Sequence, residues 1–141
     1  MKAQGSAVWQ GGLKDGKGML STRSGALKDV PYGFASRFEG QPGTNPEEMI
    51  GVAHAGCFSM ALSNILGEAG LKAERLATTA EVTLEKVADG FAITQVHLTL
   101  KARVPGVEDA AFQELAAKAK AGCPVSRLLK AEITLDASLE A

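Results

Sequence analysis

Apolar positions are densest between Thr44 and Gly70, TNPEEMIGVAHAGCFSMALSNILGEAG, and the pattern there predicts one long helix. Asn45 suits the N-cap and Pro46 the first helical position. Glu48 stands three after the cap, where a capping-box side chain belongs. Gly70 suits the left-handed residue that closes a helix. Met49, Ile50, Val52, Phe58, Met60, Leu62, Ile65 and Leu66 point in nearly every direction around such a helix. A helix apolar all round is expected to be buried all round. Gly51, Ala53, Ala55, Gly56 and Ala61 are small enough to let another helix approach closely, and Cys57 sits in their midst.

Elsewhere the period is closer to two. Residues 2–10 alternate loosely, with Ala3, Gly5, Ala7 and Trp9 on one face, and predict a short strand. Gly11, Gly12, Gly16 and Gly18 break it into a hairpin loop before a second strand near Met19 to Thr22. Residues 23–43 are rich in glycine and proline and read as loop with at most one short strand; they carry Arg37 between Ser36 and Phe38. Leu71 to Leu76 reads as strand or connector. Residues 79–87 alternate with Ala80, Val82 and Leu84 inward, and Asp89-Gly90 marks a hairpin turn. From Phe91 to Val104 the apolar phase switches from odd to even, which predicts a bulge near Gln95. Asp109 is placed to cap a helix over 110–121, with Phe112, Leu115, Ala116 and Ala119 on one face and Gly122 as its stop. A short helix from Cys123-Pro124 to Leu129 and a strand over Glu132 to Leu139 complete the chain. The fold class is α+β, an antiparallel sheet curled about two helices.

Composition narrows the class further. At 141 residues and 45% hydrophobic, the chain suits a single domain over 1–141 with a real core. A net charge of −1, with pI near 6.1, gives no electrostatic reason for a nucleic-acid or anionic-membrane partner. The longest uninterrupted apolar run falls short of a bilayer span, and no secretory or transit signal is visible, so the expected compartment is cytoplasmic. Cytosolic thiols are kept reduced, so two cysteines there are a poor structural staple; if they pair, the pairing is catalytic or sensing.

Cys57 taken alone reads as a small buried hydrophobe. Cys123 follows a helix-ending glycine and precedes Pro124, which puts it at the start of a short helix, where free amides and the helix dipole stabilise a thiolate. The plainer reading is a cap residue, for which cysteine is a poor choice. Together the two cysteines suggest a redox couple. Glu47 and Glu48 read most simply as favourable first-turn charges, and Arg37 as a surface residue. His54 precedes Cys57 by three and shares its face, so it either activates the thiol or is a packed, hydrogen-bonded residue. A metal set of His54, Cys57, His97 and Cys123 fails the usual paired spacings, because His97 lies in a strand with no near partner.

The stretch GTNPEEMIGVAHAGCFSMAL, with the later AKAGCPVS and AEITLDASL, resembles the OsmC branch of the OsmC/Ohr family of hydroperoxide reductases, essentially end to end. The resemblance implies an OsmC-like fold, an intertwined homodimer with two central helices surrounded by sheet. It implies thiol-based reduction of organic hydroperoxides in osmotic and oxidative stress, without haem, flavin or metal. An external thiol or dithiol, lipoyl-type dithiols included, would supply the electrons. The family's attacking cysteine falls on Cys57, its resolving cysteine on Cys123, and its glutamate on Glu47. Its arginine falls on Arg37, with Arg23 as the alternative nearer the N-terminus. Ala55-Gly56-Cys57 stands where the family commonly has Ala-Ala-Cys, a departure that packing should tolerate. Two rivals remain, a thiol-based redox sensor and a catalytically silent binding member of the fold. Glu47 and Cys57 stand ten positions apart on one predicted helix, about 15 Å in rise and roughly 80° out of phase. An Arg37–Glu47 pair is therefore expected to serve the Cys57 of a second subunit.

Overall fold

Three short strands open the chain: β1 (Gly5–Gln10), β2 (Lys17–Thr22) and β3 (Val30–Tyr32) form an antiparallel sheet in that order. The computed structural model, which describes residues 1–141, divides into two compact units, Met1–Met49 and Ile50–Ala141, and this sheet belongs to the first. Its register lines up Trp9, Gly18 and Tyr32 across the three strands. The Trp9 and Tyr32 rings close over Gly18 with centroids 5.5 Å apart, and any side chain at 18 would strike both. Every residue of β1 is exposed, Val8 at 57%. Three short strands with so little buried surface are marginal by themselves.

The glycine- and proline-rich stretch is more ordered than its composition suggests. It holds β3 and also α1 (Phe34–Phe38), a helix that the loop expectation missed. Five residues are too few to show a helical period. The turn is fixed by Ser36, whose hydroxyl takes the Gly33 N–H at 3.0 Å and donates to the Thr44 carbonyl at 2.8 Å.

Helix α2 (Pro46–Glu68) starts much as expected. Asn45 Oδ1 accepts the Glu48 N–H at 2.8 Å, a true N-cap. The Glu48 carboxylate takes the Thr44 hydroxyl at 2.9 Å rather than closing a capping box. At the far end Gly70 has φ +74°, and the Leu71 N–H returns to the Leu66 carbonyl at 2.8 Å. Burial departs from expectation. Only Gly51, His54, Phe58, Leu62 and Leu66 are buried, one stripe at three- and four-residue spacing, while Val52 and Met60 are 66% and 77% exposed. One small unit supplies cover for one face only. By length and mean hydropathy α2 could also cross a bilayer, more than the uninterrupted runs suggested, but its stripe belongs to a protein core.

In the second unit β4 (Arg75–Val87) and β5 (Gly90–Arg103) form an antiparallel hairpin. Gln95 faces Thr83 and Ile93 faces Leu84, so Thr94 is the extra residue of the expected bulge. The bulge turns Val96, Leu98, Leu100 and Ala102 inward against the α2 stripe and against Phe112, Ala116 and Ala119 of α3 (Asp109–Gly122). Asp109 is the first residue of α3 rather than its cap; Glu108 holds the cap position and Asp109 accepts the Gln113 amide. The last strand, β6 (Glu132–Leu139), pairs with β5 in parallel, which corrects the all-antiparallel expectation. The reason is the connection. A parallel return needs a crossover, and α3 with the short α4 (Pro124–Leu128) supplies it.

Two glycines of α2 test this packing. A side chain at Gly51 would meet the Ala80 carbonyl oxygen at 3.0 Å, whereas one at Gly67 would meet nothing. Gly51→Ala should therefore cost about 1–3 kcal/mol as an overpacking change. Gly67→Ala should add about 0.5–1 kcal/mol through helix propensity. Urea unfolding midpoints measure both; a Gly51→Ala protein as stable as the wild type would contradict the close helix–strand approach.

Candidate functional site

Cys57 lies one residue before Phe58, at the edge of the buried stripe, and is half-buried as a result. Cys123 is fully buried at the junction of α3 and α4. Its N–H still bonds the Ala119 carbonyl at 2.9 Å, while its own carbonyl takes the Arg127 N–H at 3.0 Å, so one residue ends one helix and caps the next. Pro124 at the first position of α4 makes the sharp join possible. Both cysteines are free, and their side chains lie close enough to influence each other.

Burial pushes the Cys57 thiol up, and the hydrogen bond and field of the Cys123 sulfur push it the same way; the Val125 N–H, pointing at the Cys57 sulfur, pulls it down. The helix-terminal amide expected to favour a thiolate at Cys123 thus serves Cys57. Inside this chain the balance holds the proton on Cys57.

His54, one turn earlier on α2, is buried. Its Nε2 and the Ser126 Oγ share a 2.7 Å hydrogen bond, and its Nδ1 has no partner. Burial lowers its pKa and so favours the neutral ring. His97 Nδ1 instead meets Thr134 Oγ1 at 2.6 Å on β5 and β6. No three His, Cys, Asp or Glu side chains converge on a common point.

In the first unit Arg37, at the end of α1, grips Glu47 in the first turn of α2. Its Nε donates to Oε1 at 3.2 Å and Oε2 at 3.1 Å, and its Nη2 reaches Oε1 as well. Glu47 is 12% exposed and Arg37 36%, so the pair is open to a ligand on the arginine side. Asn45 Nδ2 bonds the Ser36 carbonyl at 3.2 Å and holds α1 to the start of α2. The guanidinium lies over the Phe38 ring at 5.2 Å. Beside it opens a cavity of about 180 Å³ walled by Trp9, Leu13, Tyr32, Phe34 and Phe38. Arg23 is exposed in the turn after β2 and is not the arginine that Glu47 holds. Phe58, next to Cys57 in sequence, is a fully buried core residue. The structure thus assembles two pairs, Cys57 with Cys123 and Arg37 with Glu47. Ser126 went unnoticed in the sequence, although it follows Cys123 by the same three residues that separate His54 from Cys57.

An α+β scaffold that seats two free thiols close together has the arrangement that dithiol redox chemistry requires. The chain belongs to the OsmC-like family, whose family model matches residues 38–138. Peroxiredoxin OsmC of Escherichia coli strain K12 is 58% identical over 137 residues, 97% of this chain and 96% of that one. An organic hydroperoxide resistance protein of Xanthomonas axonopodis pv. citri is 30% identical over 101 residues, 71% of this chain and 69% of its own length. The crystal structure of the organic hydroperoxide resistance protein OhrB of Bacillus subtilis matches with a TM-score of 0.73 at 25% identity, covering 98% of each chain.

The buried His54 makes stability depend on pH. Its folded pKa lies below 6.5, so below that pH the unfolded chain binds a proton that the folded chain resists. The stability is complete above the unfolded pKa and is lost as pH falls. The urea midpoint should drop between about pH 7.5 and 5.5, and the drop should shrink in His54→Gln. Equal drops in both proteins would assign the acid sensitivity to other groups.

Proposed function

We propose that the chain is a thiol-dependent peroxidase that reduces organic hydroperoxides to alcohols, with Cys57 attacking and Cys123 resolving. The observation that carries this is the contact between a half-buried thiol and a buried one. The names of its relatives, a peroxiredoxin and organic hydroperoxide resistance proteins, support the same chemistry. The Cys57 thiolate attacks the outer peroxide oxygen, the O–O bond breaks, and the alkoxide leaves and takes a proton as alcohol. Cys57 is left as a sulfenic acid, and Cys123 displaces its hydroxyl as water to close the disulfide. An external thiol or dithiol, lipoyl-type dithiols included, returns two electrons and two protons. The scheme uses no bound cofactor and suits the cytoplasm, where such reductants are maintained.

The attack needs a cation, because burial and Cys123 both keep Cys57 protonated. Arg37 is the proposed source, its plane fixed by Glu47 and its free donors directed first at the sulfur and then at the peroxide oxygens. The aromatic cavity beside it suits an alkyl or aryl group better than hydrogen peroxide. Ten helical positions between Glu47 and Cys57 separate the pair from its own chain's thiol, so it is assigned to the partner subunit's Cys57. The exposed Val52 and Met60 on α2 and the fully exposed β1 support such a homodimer, in which residues 1–141 act as one OsmC-like domain.

Single-turnover chemistry tests the assignment of the cysteines. Cys57→Ser should consume no cumene hydroperoxide, since a serine hydroxyl is a poor nucleophile near neutral pH. Cys123→Ser should consume one equivalent and accumulate a sulfenic acid that dimedone traps. Equal consumption by wild type and Cys57→Ser would sink the peroxidase reading.

Mixed dimers test the arginine. Arg37→Ala should slow peroxide attack by about 10²–10³, the usual cost of one preorganised donor, and Arg23→Ala by no more than about twofold. Mixing Cys57→Ser copies with Arg37→Ala copies should restore about a quarter of wild-type activity. Half the randomly formed dimers then hold one complete site. A mixture as inactive as its components, or a monomer by sedimentation, would refute the shared site.

A further inference from the structure

His54 is a costly residue to keep. It is buried in an apolar core with one ring nitrogen unpartnered, and replacing a buried polar pair by apolar groups of like shape can be neutral or stabilising. Stability is therefore a poor explanation for it, and its place in the fold offers a better one. His54 lies one turn before Cys57 on α2, and its bond reaches Ser126, three residues after Cys123 on α4. Helix α4 has five residues, too few to hold its own conformation in isolation. Yet it begins at Cys123 and carries the Val125 N–H that meets the Cys57 sulfur.

We infer that His54 and Ser126 are positioning residues, whose buried hydrogen bond pins the Cys123 turn against Cys57 for disulfide closure. The inference rests on the peroxidase reading for its role in turnover. Disulfides form only within a narrow range of Cα separation and side-chain direction. A single-turn helix free to rock would spend much of its time outside that range, and the 2.7 Å bond removes that freedom one turn from the reacting sulfur. The step served is the second one. The Cys123 sulfur bonds to the Cys57 sulfur, the S–O bond of the sulfenic acid breaks, and the hydroxyl leaves with the Cys123 proton as water. Slow closure leaves the sulfenic acid open to a second peroxide and to irreversible oxidation.

The test separates attack from closure. After one equivalent of cumene hydroperoxide, Ser126→Ala should consume peroxide within about threefold of the wild-type rate. It should lose its dimedone-reactive sulfenic acid about tenfold more slowly or worse, as expected of a reacting group slightly misplaced. The yield of sulfinic acid should rise accordingly. His54→Gln should close at close to the wild-type rate, because its terminal amide falls where Nε2 lies. His54→Asn reaches only the unpartnered Nδ1 position and should close slowly. A general loss of stability would slow both steps and would not distinguish Gln from Asn. Diamide, which oxidises a dithiol without peroxide, should give the same ranking for closure. Wild-type closure in Ser126→Ala, or identical closure in His54→Gln and His54→Asn, would overturn the inference. Failure of all three variants to fold would assign the bond to the fold alone and overturn it too. A wild type that closes with diamide in the expected ranking but ignores peroxide would instead retire the peroxidase reading.

Discussion

Burial of the Phe58–Leu62–Leu66 stripe against the inward side chains of β5 is the contact on which the second unit depends. Each such side chain contributes about 1.5–3 kcal/mol when fully buried, and together they fix the rotation of α2 about its own axis. Once that rotation is set, the rest follows residue by residue. Gly51 must face Ala80 closely, His54 must enter the core, and Cys57, one position before Phe58, must sit at the edge of the stripe. The bulge at Thr94 matters for the same reason. Without its extra residue the side chains beyond it on β5 would present their polar face to the helix.

The same one-sided burial leaves Cys57 without a cation in the second unit. The surroundings that hold α2 in place also desolvate Cys57, and the neighbouring Cys123 thiol adds to the rise in its pKa. The Val125 amide alone pulls the other way. The first unit holds the group proposed to supply the cation: a guanidinium held flat by three contacts to one carboxylate, with an aromatic wall beside it. A thiol without a cation is a weak nucleophile, and a paired arginine has no chemistry of its own. The proposed dimer joins the two halves, using the face of α2 that the chain leaves uncovered.

Much of the fold was legible because strong local signals coincided with the tertiary outcome. Asn45 and Gly70 marked the ends of α2, the phase switch along β5 marked its bulge, and β6 was read at both ends. What escaped was either too short or non-local. Helix α1 spans a single turn, and the parallel pairing of β6 depends on the path of α3 and α4, which strand alternation does not record. The apolar circumference of α2 was read as burial on all sides, but a sequence cannot say how many faces one subunit covers. The residues of the proposed site, Cys57, Cys123, Glu47 and Arg37, were singled out from local pattern and family resemblance. That Arg37 rather than Arg23 takes Glu47 is a property of the α1 turn, itself invisible. Ser126 was missed because its partner lies far away in the chain and serine is unremarked in a first helical turn.

The unequal burial of the two cysteines imposes an order on the proposed chemistry. Both cannot be first to meet a peroxide, and access decides between them. Cys57 is half-buried and reachable, whereas Cys123 is sealed in the core. In the proposed scheme a bulky alkyl peroxide oxidises Cys57 and leaves Cys123 a thiol, the state required to attack a sulfenic acid. Were both exposed, excess peroxide could oxidise both sulfurs and no resolving thiol would remain. Sealing Cys123 has a cost, because a buried sulfur cannot seek its partner by diffusion and must already be in place. The closeness of the two thiols and the His54–Ser126 bond beside them meet that requirement together.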